Sequence, residues 1–133
     1  MNIKEGIEMT KPHIFNFTVA YADSDAEGVM YHARYIEVAE RARSNWSKGM
    51  VIPEGDVGFV ACELNIKYKR PIFLNEDFTV ESRVVKIGGA SMTIEQKFVK
   101  DGIICAIISI VIVYVGSGMR PKAIPESILK MFE

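Results

Sequence analysis

Met30-Tyr-His-Ala-Arg-Tyr-Ile-Glu-Val-Ala-Glu-Arg-Ala-Arg-Ser-Asn-Trp-Ser-Lys48 is the stretch in which the apolar pattern changes from strand-like to helical. Tyr35, Val38, Ala39, Ala42, Trp46 and Gly49 fall at three- and four-residue steps, which sets them on one face of a helix of about four turns. The stripe is rich in Ala and Gly, so something packs closely against it. On both sides of this segment the sequence reads as strand. Upstream, Phe15, Phe17, Val19 and Tyr21 alternate with Asn16, Thr18 and Ala20, the period-2 signature of a half-buried strand ending near Tyr21. Downstream, Pro53, Gly55 and Gly58 break the helical pattern. Four strands follow, Phe59 to Arg70, Phe78 to Ile87, Ser91 to Lys100 and Ile103 to Val115, bounded by Pro71, Gly88-Gly89 and Asp101-Gly102. The last two breaks are two-residue turns of the kind that join antiparallel neighbours. Pro125 to Phe132 closes the chain as a short helix with Pro at its start.

The order is strand, helix, then four strands. With one substantial helix and a mainly antiparallel sheet, the compact α+β solution is a sheet of about five strands curled around that helix. No internal repeat or low-complexity linker interrupts residues 1–133, so a single domain is expected, with residues 1–12 as an N-terminal arm.

Composition bounds the function. The 133 residues are 49% hydrophobic, and 16 Lys plus Arg against 17 Asp plus Glu leave a formal charge of -1. A chain of this size buries roughly two-thirds of its unfolded surface and needs no disulfide or metal to hold a core. A balanced charge argues against nucleic acid as partner, because such binding draws on many excess cations. Cys62 and Cys105 sit alone in apolar runs, without a CxxC or a neighbouring His, and read as two buried reduced thiols. Lys4, Glu5 and Glu8 interrupt the first ten residues, which therefore lack the apolar core of a signal peptide. Ile103 to Val115 is uncharged, but 13 residues fall short of the roughly 20 needed to cross a bilayer as a helix. No membrane insertion and a cytoplasmic location are the expectations.

The densest group of ionisable residues is Asp23-Ser24-Asp25-Ala26-Glu27-Gly28, between a strand end and a helix start. A calcium loop is one reading, since Asp, Asp, Glu and Gly occupy its first, third, fifth and sixth positions. Its twelfth position is Arg34, however, and a cation there repels calcium. An aspartyl-phosphate phosphatase is a second, but nothing downstream alternates strands and helices as that fold requires. The third is a carboxylate beside the start of a helix, whose unsatisfied N–H groups polarise a carbonyl while the carboxylate acts as nucleophile or general base. Against all three stands the plain possibility that Asp23 and Asp25 are turn and cap residues.

Tyr21-Ala-Asp-Ser-Asp-Ala-Glu-Gly-Val-Met-Tyr-His-Ala-Arg-Tyr35, followed by Glu40-Arg-Ala-Arg43, resembles the signature of hotdog-fold acyl-CoA thioesterases of the 4-hydroxybenzoyl-CoA thioesterase and YbgC-like type. The resemblance implies hydrolysis of an acyl-CoA to free acid and CoA, without a cofactor or metal. It matches Asp25 to the catalytic carboxylate and Gly28 to the glycine that lets the backbone approach the thioester. His32 matches the residue whose N–H polarises the thioester carbonyl, and its side chain assists by hydrogen bonding or positioning; from its sequence position alone it is equally a helix-start residue. Asp23 becomes a supporting or capping residue, and Tyr31 lines the acyl pocket or the core. Covalent and general-base routes both remain open.

The same resemblance implies basic side chains for the phosphates of CoA. Lys67 and Lys69 share one strand face, Arg70 follows, and Lys86 ends the next strand. Gly88-Gly89 stands where some relatives carry Arg or Lys, while Ser91 fits a recurrent Gly-x-x-Ser pattern at that turn. On the helix, Glu37 with Arg41 and Glu40 with Arg43 have the spacing of surface ion pairs. Glu40 is also a reserve carboxylate, since another branch of hotdog thioesterases draws its carboxylate from the long helix. The competing classes are a hotdog hydratase or dehydratase and a non-catalytic module that binds acyl-CoA or a protein. The resemblance further implies edge-to-edge homodimers, often stacked as homotetramers, with sites at the dimer interface; this would cover a strand such as Ile103 to Val115, which is apolar on both faces.

Overall fold

The computed structural model describes residues 11–132, so of the arm expected over residues 1–12 all but Lys11 and Pro12 lie outside the described residues. Five strands form one sheet: β1 (His13–Thr18), β2 (Gly58–Tyr68), β3 (Asp77–Ile87), β4 (Ser91–Lys100) and β5 (Ile103–Val115). Their order is β1-β3-β4-β5-β2, every neighbouring pair is antiparallel, and β1 and β2 are the edges. Helix α1 spans Arg34–Trp46, and a short α2 (Glu126–Leu129) runs on into a 3-10 turn at Lys130–Phe132.

Side-chain alternation explains the sheet. Met92, Ile94, Gln96 and Phe98 of β4 and Ile108, Ile110, Ile112 and Tyr114 of β5 are buried on the inner face. Between them Ile107, Val111 and Val113 point to the outer face and are half-buried, which is why β5 carries no charge on either side. Asp101 and Gly102 make the β4–β5 turn with φ of 49° and 75°, the two positive values that a two-residue type I′ hairpin needs. The β3–β4 turn is one residue longer than expected, Gly88 to Ala90, and closes with the Gly88 N–H on the Ser91 carbonyl at 2.8 Å. A Cβ at Gly88 would stand 2.6 Å from Ser91 Oγ, so a larger residue there would need the Ser91 hydroxyl to turn away.

Helix α1 lays Tyr35, Val38, Ala39 and Ala42 into the core. Its small stripe allows the close approach that the sequence predicts, and a side chain pins it: Gln96 of β4, fully buried, donates Nε2 to the Ala39 carbonyl at 2.9 Å.

Four further expectations are corrected. The helix begins at Arg34 rather than Met30 and is a 13-residue element, because backbone partners elsewhere claim residues 30 and 31. Met30 N–H donates to the Ile72 carbonyl at 2.7 Å and Tyr31 N–H to the Asp23 carbonyl at 2.8 Å. β1 stops at Thr18, and Tyr21–Asp23 forms a 3-10 turn that leaves Tyr21 84% exposed. Cys105 is buried but Cys62 is exposed, at a bulge between Ala61 and Glu63 that interrupts the alternation of β2. Arg43 does not reach outward to an ion pair; it turns in and donates Nη1 to Gln96 Oε1 at 2.7 Å. No helix among the described residues is long and apolar enough to cross a membrane.

Candidate active site

The acidic stretch folds as a small hairpin ahead of α1. Asp25 N–H donates to the Val29 carbonyl at 2.9 Å, and Gly28 N–H donates to the Asp25 carbonyl at 3.1 Å. Gly28 closes the turn with φ of 78°, a conformation that costs other residues about 1–2 kcal/mol. The hairpin's second arm then lies along residues 72–74: Leu74 N–H donates to the Gly28 carbonyl at 2.9 Å, and Met30 and Ile72, both buried, anchor the pairing. The loop between β2 and β3 therefore fixes the position of the acidic turn.

Within the turn, Asp25 is half-buried and accepts the Glu27 N–H on Oδ1 at 2.8 Å, while Oδ2 has no hydrogen-bond partner among the described residues. Asp23 serves as a cap. Its Oδ2 accepts the Ala20 N–H at 2.9 Å, and its Oδ1 lies 3.4 Å from Arg34 Nε. Arg34 also donates to the Ala22 carbonyl at 2.9 Å and pairs with Glu37, tying the turn to the first turn of α1.

Between the turn and the helix, Tyr31 N–H and Arg34 N–H have backbone acceptors, the carbonyls of Asp23 and Tyr31. The N–H groups of His32 and Ala33 have no backbone acceptor among the described residues, and no side chain caps α1 at Ala33. These are donors at the positive end of a helix, available to an incoming oxygen. The His32 carbonyl is held by the Tyr68 hydroxyl at 2.6 Å. Tyr68 in turn sets its ring edge-on to Tyr35, with centroids 5.1 Å apart. Burial pushes the Tyr35 phenol up to about 12 and raises that of Tyr68 as well, so both are neutral donors at physiological pH.

A cavity of about 300 Å³ opens at this place, lined by Asp25, His32, Tyr35, Tyr68, Lys69 and Arg70 among others. It joins four of the residues picked from sequence, Asp25, His32, Lys69 and Arg70, which come from two distant segments. Lys69 and Arg70 reach it because both of their N–H groups donate to the Cys105 carbonyl, at 2.8 and 3.0 Å, a kink that ends the alternation of β2. Lys67, one residue inside the strand and opposite Ile107, does not share the cavity. Gly28 shapes the turn without lining the cavity, and Tyr31 is 44% exposed with its ring 4.5 Å from that of His32. Ser91 sits apart, at the β3–β4 turn. Tyr35 and Tyr68 enter the site as residues that sequence reasoning did not pick; the signal was an aromatic at the end of β2, directly before two cations.

Comparison with known proteins places this geometry in context. Residues 19–132 match the model of the thioesterase-like superfamily. The acyl-CoA thioesterase YbgC of Haemophilus influenzae is 31% identical over 125 residues, covering 89% of this chain and 92% of that protein. Among solved structures, a thioesterase from Thermus thermophilus complexed with coenzyme A and zinc superposes with a TM-score of 0.80 at 27% identity, covering 92% of each chain. A probable thioesterase from Bartonella henselae superposes with a TM-score of 0.77 at 27% identity over 86% of this chain and 99% of that one. On the match of residues 19–132 and on a relative that is similar along most of both lengths, this chain belongs to the thioesterase-like superfamily.

Proposed function

We propose that this chain is an acyl-CoA thioesterase of hotdog architecture, a single domain whose sheet wraps α1, acting in the cytoplasm. The observation that carries the reading is the convergence of Asp25, His32, Lys69 and Arg70 on one cavity at the start of α1. The names of its relatives and the coenzyme A in the Thermus structure support the substrate class.

Asp25 has one carboxylate oxygen held by the Glu27 N–H and the other without a hydrogen-bond partner among the described residues. That second oxygen attacks the thioester carbon, or takes a proton from a water that does so. The carbonyl oxygen becomes an oxyanion beside the N–H groups of His32 and Ala33, which lie at a helix start and are fixed in advance. Collapse expels the CoA thiolate; on the general-base route it yields the free acid directly, and on the covalent route it leaves an acyl–Asp25 anhydride that a water hydrolyses to the free acid and the restored carboxylate. Gly28 keeps the turn tight enough for the backbone to approach the thioester, and Tyr31 borders the acyl group. Lys69 and Arg70 meet the phosphates of CoA, with Lys67 and Ser91 reserved for its outer, nucleotide end. Two copies pair edge to edge through β2, as a dimer or as half of a tetramer, and complete the site between them.

A thiol-release assay over acyl-CoAs from acetyl to long-chain and aromatic, with Asp25→Asn alongside, tests the reading. Thioester cleavage is expected, reduced about 10²- to 10⁴-fold in Asp25→Asn. A hydratase would return modified acyl-CoA with its thiol still esterified. Absence of turnover on every thioester overturns the enzymatic reading, and full activity in Asp25→Asn overturns the site assignment.

A further inference from the structure

The loop that joins α1 to β2 ends in a latch. Asp56 belongs to this loop, yet its side chain is only 5% exposed. Its Oδ1 lies 2.9 Å and its Oδ2 3.2 Å from Lys122 Nζ, and Oδ2 accepts the hydroxyl of the fully buried Tyr114 at 2.7 Å. Gly116 leaves room for the pair, since a Cβ there would stand 3.3 Å from Asp56 Oδ1 and 3.1 Å from Lys122 Cδ. The next residue is fixed as well, because Val57 N–H donates to the Val115 carbonyl at 3.0 Å. Beside these fixed points the loop shows apolar side chains to solvent: Val51 is 78% exposed and Val57 53%.

We propose that this latch is a positioning device for the site of a second copy, holding Val57 and Val51 as a wall against the pantetheine arm of CoA. The inference rests on the reading of edge-to-edge pairing through β2, and goes beyond it by giving Asp56, Lys122 and Tyr114 a part in substrate binding. Antiparallel pairing of an 11-residue strand about its own middle sets Gly58 of one copy beside Tyr68 of the other. The loop before Gly58 then runs on along Lys69, Arg70 and Pro71 of that copy, which line the cavity at Asp25. With the CoA phosphates on Lys69 and Arg70, the pantetheine arm between them and the thioester passes this wall. An ion pair withdrawn from water adds little net stability, because desolvation offsets the attraction. What it contributes is a fixed position, and a wall fixed before binding avoids the cost of ordering a loose loop.

Binding of CoA itself, followed by isothermal titration calorimetry, tests the latch without turnover. Asp56→Asn is expected to weaken CoA binding about tenfold, the scale of ordering one or two side chains on binding. On charge alone the change would do the opposite, since it removes a negative group near a polyanion. Lys122→Arg, which keeps the ion pair, is expected to stay within about twofold of the wild type. Val57→Ser alters a side chain that is exposed in the single chain and is expected to weaken CoA binding several-fold; it decides the matter should Asp56→Asn fail to fold. Sedimentation is expected to give all three variants the wild-type mass. Undiminished CoA binding in folded Asp56→Asn or in Val57→Ser, a Lys122→Arg chain as weak as Asp56→Asn, or a reduced mass in any variant each overturns the proposal. So does a wild type that does not bind CoA. A thiol-release assay on the same proteins separates this proposal from the hydrolase reading. Cleavage of acyl-CoA with CoA binding unmoved by the variants removes the latch and leaves the hydrolase, whereas weakened binding without any cleavage removes the hydrolase and leaves the latch.

Discussion

Tyr68 donates its phenolic proton to the His32 carbonyl at 2.6 Å, and that carbonyl belongs to the peptide that carries the Ala33 N–H. One hydroxyl thus fixes a peptide plane at the proposed oxyanion position. Tyr68→Phe removes the bond from a partly exposed site, which costs at most about 1 kcal/mol of stability. Its effect on the reaction is expected to be larger, a fall in kcat of about tenfold with KM little changed, since a misdirected donor is felt mainly in the transition state. Steady-state kinetics beside a melting curve checks this, and parallel losses in kcat and Tm would mean the hydroxyl is merely structural. A second residue, Asp56, predicts how stability responds to acid. Its carboxylate accepts from Lys122 Nζ at 2.9 Å and from the Tyr114 hydroxyl at 2.7 Å, and these bonds hold its pKa below the ordinary carboxylate value. A carboxyl lowered on folding contributes its stability fully above its unfolded pKa and loses it as pH falls through the folded one. The urea midpoint of the wild type should therefore drop as the pH falls below the ordinary carboxylate range of about 4. In Asp56→Asn the midpoint should start lower at pH 6 and fall less over the same descent.

At the scale of elements, the joint between α1 and β4 rests on Gln96, which binds the Ala39 carbonyl, Ser82 Oγ and Arg43 Nη1 from a fully buried position. Gln96→Leu keeps the volume but leaves Ser82 and the Arg43 guanidinium without this partner, a cost of about 1–3 kcal/mol. The expected signature is a lower urea midpoint with an unchanged slope. A steeper or shallower slope would point instead to an altered unfolded or native state. The same joint shows what a sequence withholds. Strands β4 and β5 were legible because their turn residues and alternation are local facts, and Asp101-Gly102 forms the turn its chemistry predicts. The start of α1 was not, because Met30 and Tyr31 hydrogen-bond to Ile72 and Asp23 rather than along a helix. Arg43 was misread for the same reason: its spacing from Glu40 is a local cue, whereas Gln96 lies 53 positions away. At the site, Asp25, His32, Lys69 and Arg70 could be picked from a motif and a run of cations. Tyr68 stood beside those cations as a visible aromatic, but its role could not be read there, since it depends on the fold bringing the end of β2 to the start of α1.

At the scale of the molecule, the open question is what the second edge of the sheet meets. β2 is an 11-residue edge strand, and its middle residues Ala61, Cys62 and Glu63 are all exposed. It contains no proline, and although a bulge and the charges of Glu63 and Lys67 temper it, an edge strand of this length is a template for another strand. If that strand is β2 of a second copy, a two-fold axis runs near the middle of the strand and sets each central residue close to its own counterpart. A charge introduced there opposes itself. Cys62→Arg replaces an exposed side chain and so should leave the fold of one chain intact, while two guanidinium groups face each other across the axis at a cost to pairing. Sedimentation equilibrium is expected to give the wild type the mass of a dimer or tetramer, and to give Cys62→Arg half that mass at micromolar concentration with the same circular dichroism spectrum. Thiol release should fall in step with the loss of dimer if the site is completed across the edge, and raising the protein concentration should restore both. A wild type that sediments as a monomer, or a Cys62→Arg chain that keeps the wild-type mass, would show that β2 is not the edge through which copies meet.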